Sequence, residues 1–233
     1  MRRALALAAL ALAVAQPAAA DSVSRGRALF VEGCSSCHGF DARGVAGQGP
    51  SLVGAGAAAA DFYLSTGRMP LDAPGRQPLR DDPAYDRADI DALVAYVASL
   101  GPGPAIPDVD PARGDLAEGQ RSFTANCAGC HQVVGRGGVV TGGFSPSLHE
   151  ATARQIGEAV RVGPYLMPPF DEHRIDRHTL DSIARYLRYA RHPDDRGGWG
   201  LFEIGPVPEG MVAWLLGGVL VLVVVRLLGE RNE

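Results

Sequence analysis

Apolar residues fall along the chain in three regimes. The first is an unbroken run from Ala4 to Ala15, preceded by Met1-Arg2-Arg3 and closed by Gln16-Pro17-Ala18-Ala19-Ala20. A positive start, an apolar stretch and a small-residue end predict an export leader cut between Ala20 and Asp21. An uncleaved anchor helix is the competing reading, but the run is shorter than the roughly 20 residues a membrane span needs. The last regime is Met211 to Leu228, apolar on every face and roughly 27 Å long as a helix, close to the thickness of a bilayer's hydrocarbon layer. Its charge, Arg226, sits near the exit and can snorkel. Trp199, Phe202 and Trp214 flank or enter the outer side, while Arg226 and Arg231 mark the cytoplasmic side. A buried core helix is the alternative, but too little chain remains to surround it.

Between these ends the apolar residues are periodic and brief. Ser24 to Gly33 and Leu116 to Ala125 predict short helices with Phe30 and Phe123 on the inner face. Ala88 to Leu100, with Ile90, Leu93, Tyr96 and Val97, predicts a longer amphipathic helix. Thr179 to Ala190, with Leu180, Ile183, Tyr186 and Leu187, predicts another at the same i, i+3, i+6, i+7 spacing. Each short helix leads, through a long Gly-rich loop, to one of the longer ones, so the pattern runs twice. The reading is all-α: leader 1–20, first domain 21–101, linker 102–112, second domain 113–192, juxtamembrane connector 193–210, transmembrane helix 211–228 and cytoplasmic tail 229–233. Gly101-Pro102-Gly103-Pro104-Ala105-Ile106-Pro107 has the composition of a stiff linker.

Composition sharpens this. The 233 residues are 46% hydrophobic, but 30 Gly and 17 Pro cut that content into short pieces. A unit of about 80 residues has difficulty burying a sufficient core by itself, so each half needs apolar surface from elsewhere. The net charge of −4 provides no clustered basic surface for a phosphate backbone, which excludes nucleic acid as the partner.

The four cysteines show what fills the halves. They form Cys34-Ser35-Ser36-Cys37-His38 and Cys127-Ala128-Gly129-Cys130-His131, two copies of C-x-x-C-H. Two thiols at this spacing add to the two vinyl groups of haem as thioethers, and the adjacent His offers an imidazole to the iron. The motifs therefore predict two covalently attached haem c groups. A zinc ribbon also pairs C-x-x-C elements, but usually 15–20 residues apart, whereas Cys37 and Cys127 are separated by most of a domain. Thioredoxin-like chemistry needs a βαβ unit, which neither half suggests. The motifs bring the repeat into register: Gly26 and Gly119 lie eight residues before the first cysteine, and Phe30 and Phe123 four before it. Downstream, Pro50-Ser51-Leu52 matches Pro146-Ser147-Leu148, and Met69-Pro70 matches Met167-Pro168.

On these residues each half resembles a class I cytochrome c. The resemblance implies that Met69 and Met167 are the distal iron ligands opposite His38 and His131, and that the Pro50 and Pro146 carbonyls accept from the N–H of those histidines. Met69 is the first half's one methionine after Met1, and His38 is its one histidine; a gap-filling core residue is the alternative role for such a methionine. In the second half His149, His173, His178 and His192 could compete with Met167, although they stand in polar text. Ligation by His and Met closes both axial positions, leaving one-electron transfer as the chemistry.

Over its whole length the chain resembles the dihaem cytochrome c subunit of the actinobacterial quinol–cytochrome c reductase, the bcc-type complex. The likeness is carried by the two motifs, Gly47-Gln48-Gly49-Pro50-Ser51-Leu52-Val53-Gly54, Thr66-Gly67-Arg68-Met69-Pro70 and the C-terminal anchor. It implies a single-pass cell-membrane protein with its haem domains on the extracytoplasmic side. The implied role is to relay electrons from the Rieske iron–sulfur subunit to the terminal cytochrome c oxidase, with cytochrome b as a further partner. The alternatives are a dihaem carrier serving another dehydrogenase or oxidase, and a dihaem peroxidase, which would need an open haem position. The stretch from Leu71 to Asp91, with Asp72, Asp81, Asp82, Asp86, Asp89 and Asp91, departs from the pattern. It reads either as a docking surface for an electron partner or as a solvated loop in which Asp86 or Asp89 caps the next helix.

Overall fold

The computed structural model describes residues 16–193 and 206–229, so the apolar run from Ala4 to Ala15, Trp199, Phe202 and Arg231 lie outside the described residues. The chain divides into two compact units, one ending at Arg188 and the other beginning at Tyr189. The first unit contains both haem-motif halves. The second contains the end of one helix and the apolar C-terminal helix.

The first half starts with α1 (Gln16–Gly33), continues through the one-turn α2 (Ser35–His38) and α3 (Gly56–Ser65), and closes with α4 (Arg87–Ser99). The second half repeats the order as α5 (Leu116–Asn126), α6 (Ala128–His131), a hairpin of β1 (Gly138–Val140) and β2 (Gly143–Ser145), α7 (Ala153–Val162) and α8 (Arg177–Arg191). The C-terminal helix α9 (Pro206–Gly229) is long and apolar enough to cross a membrane, and its apolar side chains are exposed. The described residues are thus mostly helical, in two halves of the same order followed by one apolar helix.

Each domain is built on one helix crossing. A Cβ at Gly26 on α1 would run into the Ala92 carbonyl oxygen on α4, and a Cβ at Gly119 on α5 would run into the Ser182 carbonyl oxygen on α8. Glycine at both places lets the helix backbones approach closely. One turn further on, Phe30 packs on Tyr96 with ring centroids 5.1 Å apart, and Phe123 packs on Tyr186 at 5.5 Å. All four rings are buried, and such tilted pairs add to the burial of their area. Leu93 and Val97 complete the first crossing, and Leu180, Ile183 and Leu187 the second.

The helices α3 and α7 were not apparent in the Gly-rich loops. α3 is a run of small residues, Gly-Ala-Ala-Ala-Ala, with no side-chain cap. Its first turn is held from outside, where Ala58 N–H donates to the Pro104 carbonyl in the linker. α7 is strongly amphipathic and opens on a capping box in which Thr152 and Gln155 satisfy each other's backbone N–H groups. These two helices pack against each other and join the domains.

The acidic stretch from Leu71 to Asp91 matches the solvated-loop reading and adds a contact to it. Asp86 caps α4 by accepting from Asp89 N–H at 2.8 Å, and Asp72, Asp81 and Asp82 are exposed. The stretch is also a strap onto the second domain. The Gln77 amide donates to the Phe144 carbonyl at 2.6 Å and accepts from the Phe144 N–H at 3.0 Å, and Arg80 reaches Gln155 and Glu150.

Candidate functional site

Each haem motif ends a helix and begins a tight return. His38 is the last residue of α2, and its carbonyl accepts from Gly44 N–H at 2.8 Å. In the second half the His131 carbonyl accepts from Gly137 N–H at 2.9 Å. Gly44 and Gly137 have φ of 86° and 72°, and a Cβ on Gly44 would lie 2.7 Å from the backbone of Pro50 and Ser51. This close approach delivers a proline carbonyl to each imidazole. His38 Nδ1–H donates to the Pro50 carbonyl at 2.8 Å, and His131 Nδ1–H to the Pro146 carbonyl at 3.2 Å. Leu52 N–H and Leu148 N–H then close the two loops, on the Ala42 and Gly135 carbonyls, both at 2.8 Å.

The halves differ in one partner. Ser145 Oγ lies 2.9 Å from His131 Nδ1 and is buried. Since the Nδ1 proton points at a carbonyl, the hydroxyl is a second acceptor for it. The corresponding place before Pro50 is Gly49, so His38 has no such partner. Ser145 was not apparent in the sequence; the signal that finds it is its position directly before the repeated Pro-Ser-Leu.

Met69 and Cys34 pack against the same buried cluster of Phe30, Leu64, Leu93 and Tyr96. Met167 borders a cavity together with Cys127, Cys130 and His131. Arg161 donates to the carbonyls of Phe170, Asp171 and Ile175 and so fixes the loop that follows Met167. None of the other second-half histidines borders that cavity. His173, His178 and His192 are exposed, and His149 Nε2 is bonded to the Val134 carbonyl at 2.7 Å.

Among the described residues no cysteine is paired in a disulfide. Burial, then the neighbouring Cys37, pushes the Cys34 thiol up to about 11, and burial with Cys130 pushes Cys127 up to about 11. Burial lowers the His131 imidazole below its ordinary value, against the opposing effect of the Pro146 bond. The donor chemistry fits a porphyrin better than a bare ion. Among the described residues no three His, Cys, Asp or Glu side chains gather as a metal-binding cluster. The group that suits a single oriented imidazole is one that brings its own equatorial ligands.

Two charged groupings lie between the domains. Asp61 on α3, 1% exposed, accepts from Arg87 at 2.5 Å and from Arg154 at 2.8 Å. Glu158 on α7, 0% exposed, accepts from Arg154 at 3.1 Å, while its other oxygen has no donor. Two neighbouring buried carboxylates resist ionising together, which favours a proton on Glu158. Accordingly burial first, and then Asp61, pushes the Glu158 carboxyl up to about 8. For Asp61 burial opposes ionisation, but Glu158, Arg87 and Arg154 outweigh it and hold its carboxyl below the usual range. The second grouping is Arg68 and Arg80, which border the cavity of the second half although they belong to the first. Burial, then the like charge of Arg80, lowers the Arg68 guanidinium below its ordinary value.

Comparison with known proteins places these features. A cytochrome c family model matches residues 23–101, and one described as cytochrome C oxidase, cbb3-type, subunit III matches residues 114–187. The chain is 39% identical to the cytochrome bc1 complex cytochrome c subunit of Mycobacterium tuberculosis, over 95% of this chain and 82% of that protein. It is 34% identical to the subunit of the same name from Corynebacterium diphtheriae, over 90% and 81%. The Cbb3-type cytochrome c oxidase subunit CcoP of an Azospirillum species is 29% identical, over 71% of this chain and 61% of its own length.

Proposed function

Because this chain belongs to the family of cytochrome c subunits of the actinobacterial cytochrome bc1 complex, and is thereby a respiratory electron-transfer component, we propose that it relays single electrons between two haem c groups. In this reading the electrons come from the Rieske iron–sulfur subunit and leave to the terminal cytochrome c oxidase. Cys34 and Cys37 anchor one haem, and Cys127 and Cys130 the other, as thioethers. His38 and Met69 would hold the first haem iron, and His131 and Met167 the second. The helix α9 crosses the cell membrane once and holds the domains on the extracytoplasmic side, beside cytochrome b.

Bound haem supplies a one-electron couple whose potential depends on its axial ligands, hydrogen bonds and burial. The rest is positioning by the chain. With Nδ1 committed to the Pro50 or Pro146 carbonyl, the nitrogen left for iron is Nε2, and the ring cannot turn without losing that bond. Met69 on the first core, and Met167 in a loop braced by Arg161, provide a soft sulfur on the other face. An iron held by both an imidazole and a thioether would have no site for oxygen or peroxide, and the chemistry it would supply is one-electron transfer. The contact of α3 with α7 sets the spacing of the two centres.

The observation that carries this reading is the repeated His–Pro pair, at 2.8 Å and 3.2 Å, on two C-x-x-C-H motifs within one compact unit. The test is mild solubilisation of membranes and capture of the tagged chain. Cytochrome b and the Rieske protein are expected to co-purify, and quinol is expected to reduce both haems. The match of the second domain to a cbb3-type oxidase subunit favours one other reading, a carrier feeding a different oxidase. Co-purification with oxidase alone, and no reduction by quinol, would establish that reading instead.

A further inference from the structure

Arg68 is 8% exposed, and its Nη1 is buried with no hydrogen-bond acceptor. Its guanidinium lies 4.9 Å from the centre of the Phe62 ring, which satisfies one face of the cation but no N–H. Burying a guanidinium without a carboxylate costs several kcal/mol, so a side chain in this state points to a missing anion. Arg68 borders the cavity formed by Cys127, His131 and Met167, and so does Arg80. Arg80 is about one-third exposed at 32%, and its contacts to Gln155, Glu150 O and the Glu150 carboxylate are long, at 3.4–3.6 Å. Two guanidinium groups therefore converge on one largely apolar cavity, and among the described residues no carboxylate borders it. Like charges placed together in this way are complementary to a ligand with two negative groups.

We infer that Arg68 and Arg80 of the first domain bind the two propionate carboxylates of the haem carried by the second domain. The inference rests on the reading of Cys127, Cys130 and His131 as a haem c site and goes beyond it, because it makes that site incomplete without the first domain. It also gives the strap from Leu71 to Asp91 a purpose: the Gln77–Phe144 pair holds Arg80 at the cavity. The consecutive residues Arg68 and Met69 then serve different haems, one through charge and the other through sulfur.

The test is a potentiometric titration of the full chain, followed by optical absorption, with the second haem assigned through Met167→His. Removing a cation beside a propionate leaves negative charge near the iron and favours the ferric state. Arg68→Gln and Arg80→Gln are each expected to lower the second potential, on the order of tenfold in the reduction equilibrium, ~59 mV for one electron. The first potential and the count of two haems per chain are expected to stay unchanged. Arg80 is far from Met69 in sequence, so its variant keeps the test valid if Arg68→Gln disturbs the neighbouring methionine. Two bound haems with an unchanged second potential in both variants would overturn the inference and leave the haem reading intact. Absence of the second haem from the unmutated chain would remove the reading itself.

Discussion

Arg154 Nε on α7 lies 2.8 Å from the Asp61 carboxylate on α3, an ion pair between a half-exposed guanidinium and a buried carboxylate that ties one cytochrome domain to the other. With Arg87 on the far side of Asp61, and Glu158 beneath Arg154, it forms the charged centre of the contact between the domains. Removing Arg154 leaves Asp61 with Arg87 alone and takes the donor from Glu158; because the guanidinium is half-exposed, solvent screens the pair and the cost is about 1–2 kcal/mol. Arg154→Ala is therefore expected to lower the thermal unfolding temperature of the full chain in detergent and to slow electron exchange between the haems. Exposed-surface replacements such as Arg43→Ala should do neither, because the Arg43–Asp41 pair is exposed.

The same centre makes stability depend on pH. Glu158 has its carboxyl raised from 4.5 to about 8, so the folded chain keeps a proton that the unfolded chain has released. Its contribution is fully present below about pH 4.5 and is lost as pH rises towards 8. Asp61 acts in the opposite sense: its lowered pKa gives stability that is present above 3.8 and lost on acidification. The groups facing the pair are Arg87 and Arg154, with Asp91 paired to Arg87 from the side. Thermal unfolding between pH 6 and 9 is expected to show a falling midpoint in the wild type and a flatter profile in Glu158→Gln. Parallel profiles would contradict the proton on Glu158.

Ser145 predicts an asymmetry between the haems. In the proposed haem site its hydroxyl, as a second acceptor on His131 Nδ1–H, would make the imidazole a stronger donor to iron and favour the ferric state. Ser145→Ala is expected to raise the second potential by on the order of 40 mV, the equivalent of one hydrogen bond of ~1 kcal/mol. The redox titration that checks this should show the first potential unchanged.

Gly44 predicts a loss on the other side. A Cβ there would force Pro50 and Ser51 back and stretch the bond that orients His38. Gly44→Ala is expected to destabilise the first domain by about 1–3 kcal/mol and to raise the first potential. Gly129→Ala, where a Cβ meets nothing within 4 Å, is the control and should leave both unchanged. Unfolding curves and separate redox midpoints for the two haems provide the measurements.

Much of this architecture was legible in the order of residues because each domain depends on local, repeated geometry. Gly26 and Phe30, set by their distance from Cys34, matched Gly119 and Phe123 and put both phenylalanines on inner helix faces; the close crossings at the two glycines emerge from the fold. The four amphipathic segments appear as helices, with α1 extending back to Gln16. What stayed hidden depends on the partner domain. The helix α3 opens on Gly-Ala-Ala-Ala-Ala and has no capping side chain to announce its start, and α7 is a short helix of ten residues between two loops. The pairing of Asp61 with Arg154 and Glu158, and of Gln77 with Phe144, joins positions far apart in sequence, which no periodicity reports. Arg68 stood beside Met69 in plain view, but the cavity it borders belongs to the other half.

The most direct test of the central claim is the haem count and ligand set of the purified full chain. Haem that survives acid–acetone extraction, quantified against protein, is expected at two per polypeptide, with Met69→His and Met167→His each lowering one of two separate potentials. One haem per polypeptide, extractable haem, or a titration that neither methionine variant shifts would contradict it.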